Sequence, residues 1–186
     1  MENSQNFKID IIIFILIGAI LVGGGYFLAH NNKGEKNILM SQSTSKLKQI
    51  RQPAVAGQFY PADEKELGEK IDDFLNQADL LKNEGQLLCL IVPHAGYEYS
   101  GQVAAWGYKQ LLNSDFETVI LIGNSHRQYF DGAAVETSDF WQTPLGEVEI
   151  DKDLAERIIK EDKLIKADIE PHRFEHSLEV QVPFLQ

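Results

Sequence analysis

Two apolar runs, each closed by a histidine, constrain this chain more than any other feature. The first reads LCLIVPH (88–94) and the second VILIGNSH (119–126). Between them, residues 102–112 carry small and apolar side chains in a helical pattern, including Ala104, Ala105, Gly107 and Leu111. Strands over 87–92 and 117–122, apolar nearly throughout, suit a sheet covered on both faces. A helix joining two parallel strands makes a right-handed βαβ unit with both carboxyl ends on one edge. Ligands bind beyond that edge in open α/β sheets. His94 and His126 are therefore expected to face one crevice, and the fold class is α/β, with a central sheet flanked by helices.

The flanking sequence fits that frame. PAVAGQFYP (53–61) mixes Pro, Gly and aromatics, as an extended segment packed on the body would. Asp63 can cap a helix with Glu66 as its capping-box partner. Leu67, Ile71, Phe74, Leu75 and Ala78 then fall on one face. A third strand is expected over 133–137, a turn or hairpin over 141–148, and a helix capped by Asp151 that carries Leu154, Ile158 and Ile159. The stretch EPHRFEHSLEVQVPFLQ (170–186) gathers Glu175, His176 and Glu179, with Ser177 able to cap a short helix through Val180.

The first 52 residues read differently. After a short tail (1–10), residues 11–29 run for 19 positions without a charge. At 1.5 Å per residue a helix of that length crosses a hydrocarbon core of about 30 Å. The FLAHNN that follows Tyr26 lacks an A-x-A cleavage pattern, so an uncleaved single-pass anchor is expected rather than a secretory signal. Lysines beyond the run favour a cytoplasmic body by the positive-inside rule. Residues 30–52, rich in Asn, Ser, Gln and Lys, read as a polar tether. This amino-terminal part holds six of the 17 basic and three of the 28 acidic residues, leaving 53–186 with 11 and 25, a net charge of −14. So acidic a body repels phosphate backbones and argues against nucleic-acid binding.

Neutral imidazole is a ligand for iron, copper and zinc. Two histidines and a carboxylate leave positions open for iron and oxygen chemistry. Glu175 and Glu179 are candidate carboxylates, and His176, with Glu175, a candidate acid or base. Each histidine alone reads more readily as a hydrogen-bonded core residue than as a ligand; their equivalent places at two strand ends bring the two readings level. Tyr97, Tyr99 and Trp106 can line a pocket or fill the core. Arg127 can bind an anion or pair with an acid. Ser125 beside His126 permits a hydrolase, but the chain has no G-x-S-x-G elbow and Ser125 no identified orienting acid. The single cysteine, Cys89, reads as a small buried hydrophobe.

Five motifs together resemble the Memo family, called AmmeMemoRadiSam system protein B in prokaryotes. They are AGQFYP (56–61), VPHAGYEYSG (92–101), ILIGNSH (120–126), TPLGEVEID (143–151) and EHSLEVQVPFLQ (175–186), in the family's order. The resemblance covers 53–186 and implies a fold similar to class III extradiol ring-cleaving dioxygenases. It also implies a pocket for an iron or copper ion in which His94 and His126 are metal ligands; the residues around them add Tyr97, Ser125, Arg127 and Glu179 as candidate pocket residues. A redox or oxygenase activity is suspected in the family, and its name suggests a radical-SAM partner. The family's third ligand, a cysteine, and a further histidine belong to a C-terminal portion, so the chain resembles a C-terminally truncated member. A non-catalytic metal- or peptide-binding module that scaffolds a partner is the alternative expectation.

Overall fold

A computed structural model describes residues 47–82, 85–112, 114 and 116–186, and the backbone of 11–17. The strands are β1 (Ile11–Ile17), β2 (Ile50–Arg51), β3 (Thr118–Asn124), β4 (Ala133–Val135), β5 (Phe140–Thr143), β6 (Gly146–Ile150) and β7 (Ile165–Ala167). The helices are α1 (Glu64–Asn76), α2 (Tyr97–Tyr108), α3 (Lys152–Glu161) and α4 (Val182–Leu185). All seven strands form one mixed sheet, in the order β2-β5-β6-β1-β4-β7, with β3 against β1.

Local rules account for most of these elements. Asp63 caps α1 by accepting the Glu66 N–H at 3.0 Å, and Asp151 caps α3 by accepting the Leu154 N–H at 2.8 Å. β5 and β6 form the hairpin expected over 141–148, turning at Gly146 with φ +132°. Ala134 and Val135 are neighbours on β4 yet belong to different cores, because successive strand side chains point to opposite faces. Ala134 packs with Tyr108 of α2, Trp141, Leu178 and Val182. Val135 packs with Ala155 of α3 and with Ile158 and Ile165. Helices thus cover both faces of the sheet, as an α/β chain requires. A third cluster joins Val55 and Tyr60 to Leu67 and Ile71 of α1, Tyr97 of α2 and Val180.

The amino-terminal expectations change. Ile11–Ile17, the start of the expected spanning helix, is a β-strand. It pairs in parallel with β3 from Ile11↔Thr118 to Ile17↔Asn124. It also meets Glu149–Ile150 of β6 and Ala133–Val135 of β4. A continuous apolar run cannot be assigned to helix or strand by periodicity alone, and the isoleucine-rich IIIFILI suits a pleated surface. Among the described residues no helix is long and apolar enough to cross a membrane. The rest of the expected span (18–29), the tail 1–10 and most of the tether (30–46) lie outside the described residues. The tether's last part is not free: Ile50 and Arg51 pair with Phe140 and Trp141 of β5.

The strand expected over 87–92 is absent as well. β1 holds the ladder beside β3, and 86–92 run along the surface without ladder partners. Leu88 and Ile91 are 86 % and 98 % exposed, and Cys89, expected in the core, is exposed too. Leu87 and Leu90 are half-buried, and Val92 is drawn in against Gly107 of α2, where any side chain would collide with it. The βαβ unit expected from the two histidine runs is therefore replaced by β1, α2 and β3, with His94 delivered by a loop. α2 also starts earlier than expected, directly after the histidine, with Gly96 as N-cap.

Candidate metal centre

His94 lies in the turn between the surface run and α2. Two contacts hold that turn. The Tyr97 N–H donates to the Phe59 carbonyl at 2.7 Å, and Gln181 Nε2 donates to the Pro93 carbonyl at 3.1 Å. His126 stands two residues beyond β3. His176 follows Glu175 in the tight turns ahead of α4. The three rings converge, with centroids 5.3 Å apart for His94 and His126, 5.9 Å for His94 and His176, and 4.5 Å for the stacked His126 and His176. One ring nitrogen from each lies within 4.8 Å of the others, a spacing that could hold a single ion. Phe59 closes one side, its ring 4.6 Å from that of His176.

Around this group the polar contacts are specific. Glu175, 1 % exposed, places Oε1 2.8 Å from His126 Nδ1 and 3.3 Å from His176 Nδ1. Its oxygens also accept the backbone N–H groups of His126, His176 and Ser177 at 2.5, 2.9 and 3.0 Å. Burial alone would raise this carboxyl; the His126 ring and these N–H donors outweigh it and hold its pKa at about 2. Burial, and then the positive charge a protonated His126 would carry, lower the pKa of His94. Burial likewise lowers that of His176, against the pull of Glu175. Both imidazoles are thus biased toward the neutral form that a metal requires. Asn124 Nδ2 lies 3.0 Å from His126 Nε2.

The other candidate residues occupy different places. Tyr97 is buried in the core, its hydroxyl donating to the Val180 carbonyl at 2.9 Å. Glu179, fully buried, turns away from the histidines. It accepts from the Ala54 and Val55 N–H groups and the Tyr60 hydroxyl, and forms an ion pair with Arg51. Ser125 closes a turn, its hydroxyl donating to the Gln128 carbonyl at 2.7 Å. Arg127 is exposed beside the group. Ser177 donates to the Asn124 carbonyl at 2.8 Å, which ties the 175–177 turn to the end of β3, and caps no helix.

Sequence reasoning passed over Arg51, Phe59, Asn124 and His172. Arg51 brackets the site from beneath, donating to the carbonyls of His172 and Glu175 at 2.9 and 2.8 Å while stacking 4.0 Å over the Trp141 ring. Nothing beside it in sequence marks it, whereas Phe59 and Asn124 lie inside motifs that were already in view.

The family model described as Memo-like protein matches residues 51–186. This chain belongs to the Memo family. A MEMO1 family protein of Thermoplasma volcanium is 43% identical over 138 residues, which cover 74% of this chain and 50% of that protein. One from Methanopyrus kandleri is 44% identical over 144 residues, covering 73% and 51%. One from Thermococcus kodakarensis is 41% identical over 138 residues, covering 74% and 47%. The chain spans about half the length of the curated relatives it matches. In this Memo-family chain the five motifs are also in contact. Phe59 and Tyr60 of AGQFYP meet Tyr97 and Glu179, Glu175 of the last motif holds His126 of the third, and Thr143 Oγ1 donates to Gln186 Oε1 at 2.5 Å.

Proposed function

We propose that this chain holds a redox metal, iron or copper, between His94, His126 and His176, and that the pocket serves oxygen or electron-transfer chemistry like that of extradiol dioxygenases. The observation that carries the reading is the convergence of three ring nitrogens within 4.8 Å. The donor set fits. Neutral imidazoles suit iron and copper, and three of them leave coordination positions open. Bound there, such an ion would supply a redox-active Lewis acid. The chain's own residues do the rest. Burial lowers the pKa of His94 and of His176, the Glu175 carboxylate occupies the Nδ1 edge of His126, and Phe59 covers His176. Membership of the Memo family supports the choice of metals.

Anaerobic titration of the purified chain with Fe(II) or Cu(I), followed by desalting and elemental analysis, tests this. One ion per chain is expected, with affinity falling at least about tenfold in each of His94→Ala, His126→Ala and His176→Ala. Stoichiometric metal in all three variants would sink the reading. Tight metal binding without oxygen uptake or electron transfer, in the chain and in a full-length relative, would favour a binding module instead. The radical-SAM partner suggested by the family's system name is tested by co-purification with a tagged chain.

A further inference from the structure

We infer that Glu175 is a positioning residue that fixes the tautomer of His126, leaving its Nε2 as the nitrogen with the free lone pair. The inference rests on the metal reading above for its purpose but not for its geometry. A carboxylate oxygen only accepts hydrogen bonds. Oε1 lies 2.8 Å from Nδ1 of His126 in a hydrogen bond, so this Nδ1 faces it as N–H, whereas Nδ1 of His176, at 3.3 Å, makes only a charge contact. In a neutral imidazole the proton on Nδ1 leaves Nε2 as the lone-pair nitrogen.

A second observation points the same way. Nε2 of His126 lies 3.0 Å from the Asn124 side-chain amide nitrogen, a donor, and therefore acts as an acceptor. The carboxylate itself has little freedom. It is buried and accepts backbone N–H groups from His126, His176 and Ser177, while Arg51 grips the Glu175 carbonyl at 2.8 Å. One rigid group thus sets a ring that lies 49 residues away in the chain. Outer partners of this kind orient metal-binding histidines and raise their basicity.

The test reads tautomers without metal. Long-range ¹H–¹⁵N correlation on the metal-free chain should show His126 with protonated Nδ1 and an acceptor Nε2. In Glu175→Gln that preference should be lost. Affinity for Co(II), used as a spectroscopic probe, should fall about 10- to 100-fold, with an altered visible spectrum. A wild-type His126 ring protonated at Nε2 would overturn the inference, and so would a Glu175→Gln chain with unchanged His126 tautomer and Co(II) affinity. The wild-type measurement decides the matter even if the variant misfolds. Correct tautomers in a wild-type chain that binds no Co(II), Fe(II) or Cu(I) would remove the metal reading while upholding the role of Glu175.

Discussion

Arg51 and Glu179, 128 positions apart, form an ion pair whose side chains are 7 % and 0 % exposed. Glu179 also accepts from Tyr60 and from two backbone N–H groups, so its charge is well compensated only while Arg51 is present. Arg51→Leu should therefore destabilise the fold by about 3–5 kcal/mol, the usual consequence of leaving one buried charge alone. Urea unfolding at pH 7 checks it. A loss under 1 kcal/mol would mean that Glu179 is not left as a lone buried charge.

His172 carries a pH prediction. It is fully buried; its Nε2 meets the Ala134 carbonyl at 3.2 Å, and Nδ1 has no partner. Burial lowers its pKa to about 4, despite the nearby Glu136. Between that value and the unfolded value near 6.5, the unfolded chain binds the extra proton, so stability rises with pH across this window and falls on acidification. At pH 5 the difference is about 2 kcal/mol. His172→Gln, which cannot titrate, should lose correspondingly less stability between pH 7 and pH 5. Equal losses in both chains would refute the assignment.

Asn124 offers its amide to the same Nε2 that a metal would take. Asn124→Ala removes one competing hydrogen bond, a net of about 1 kcal/mol, and should tighten Co(II) binding roughly 3- to 10-fold. Isothermal titration reads this directly. Weaker binding in the variant would show that Asn124 supports the ion rather than competing with it.

Tyr97 distinguishes core from pocket within the HAGY motif. Its hydroxyl reaches Val180, not the histidines. Tyr97→Phe should lower stability by about 1–3 kcal/mol, because the buried Val180 carbonyl loses its donor, and should leave metal affinity within about twofold. A large drop in affinity with normal stability would move Tyr97 into the site.

How much of this was legible follows from the range of the interactions. Caps are local, so Asp63 and Asp151 announced α1 and α3. The apolar 117–122 run became β3, and the His94–His126 pairing followed from strand-end logic, although a loop rather than a strand delivers His94. EHSLE drew attention to Glu175, His176 and Glu179, but nothing local separates a carboxylate that holds a histidine from one that holds Arg51. The two apolar runs, 11–17 and 87–92, have the same character in one dimension. Which of them pairs with β3 is decided by the whole sheet, and that choice left Leu88, Cys89 and Ile91 outside.

The Glu175–His126 contact also has a temporal meaning. Ribosomes make His94 and His126 first, and Glu175 and His176 arrive 49 and 50 residues after His126. Until then His126 lacks the carboxylate that orients it, and Arg51 has no Glu179 to grip. An ion held by the three histidines, as proposed, would meet its full ligand set only once the last turns have closed.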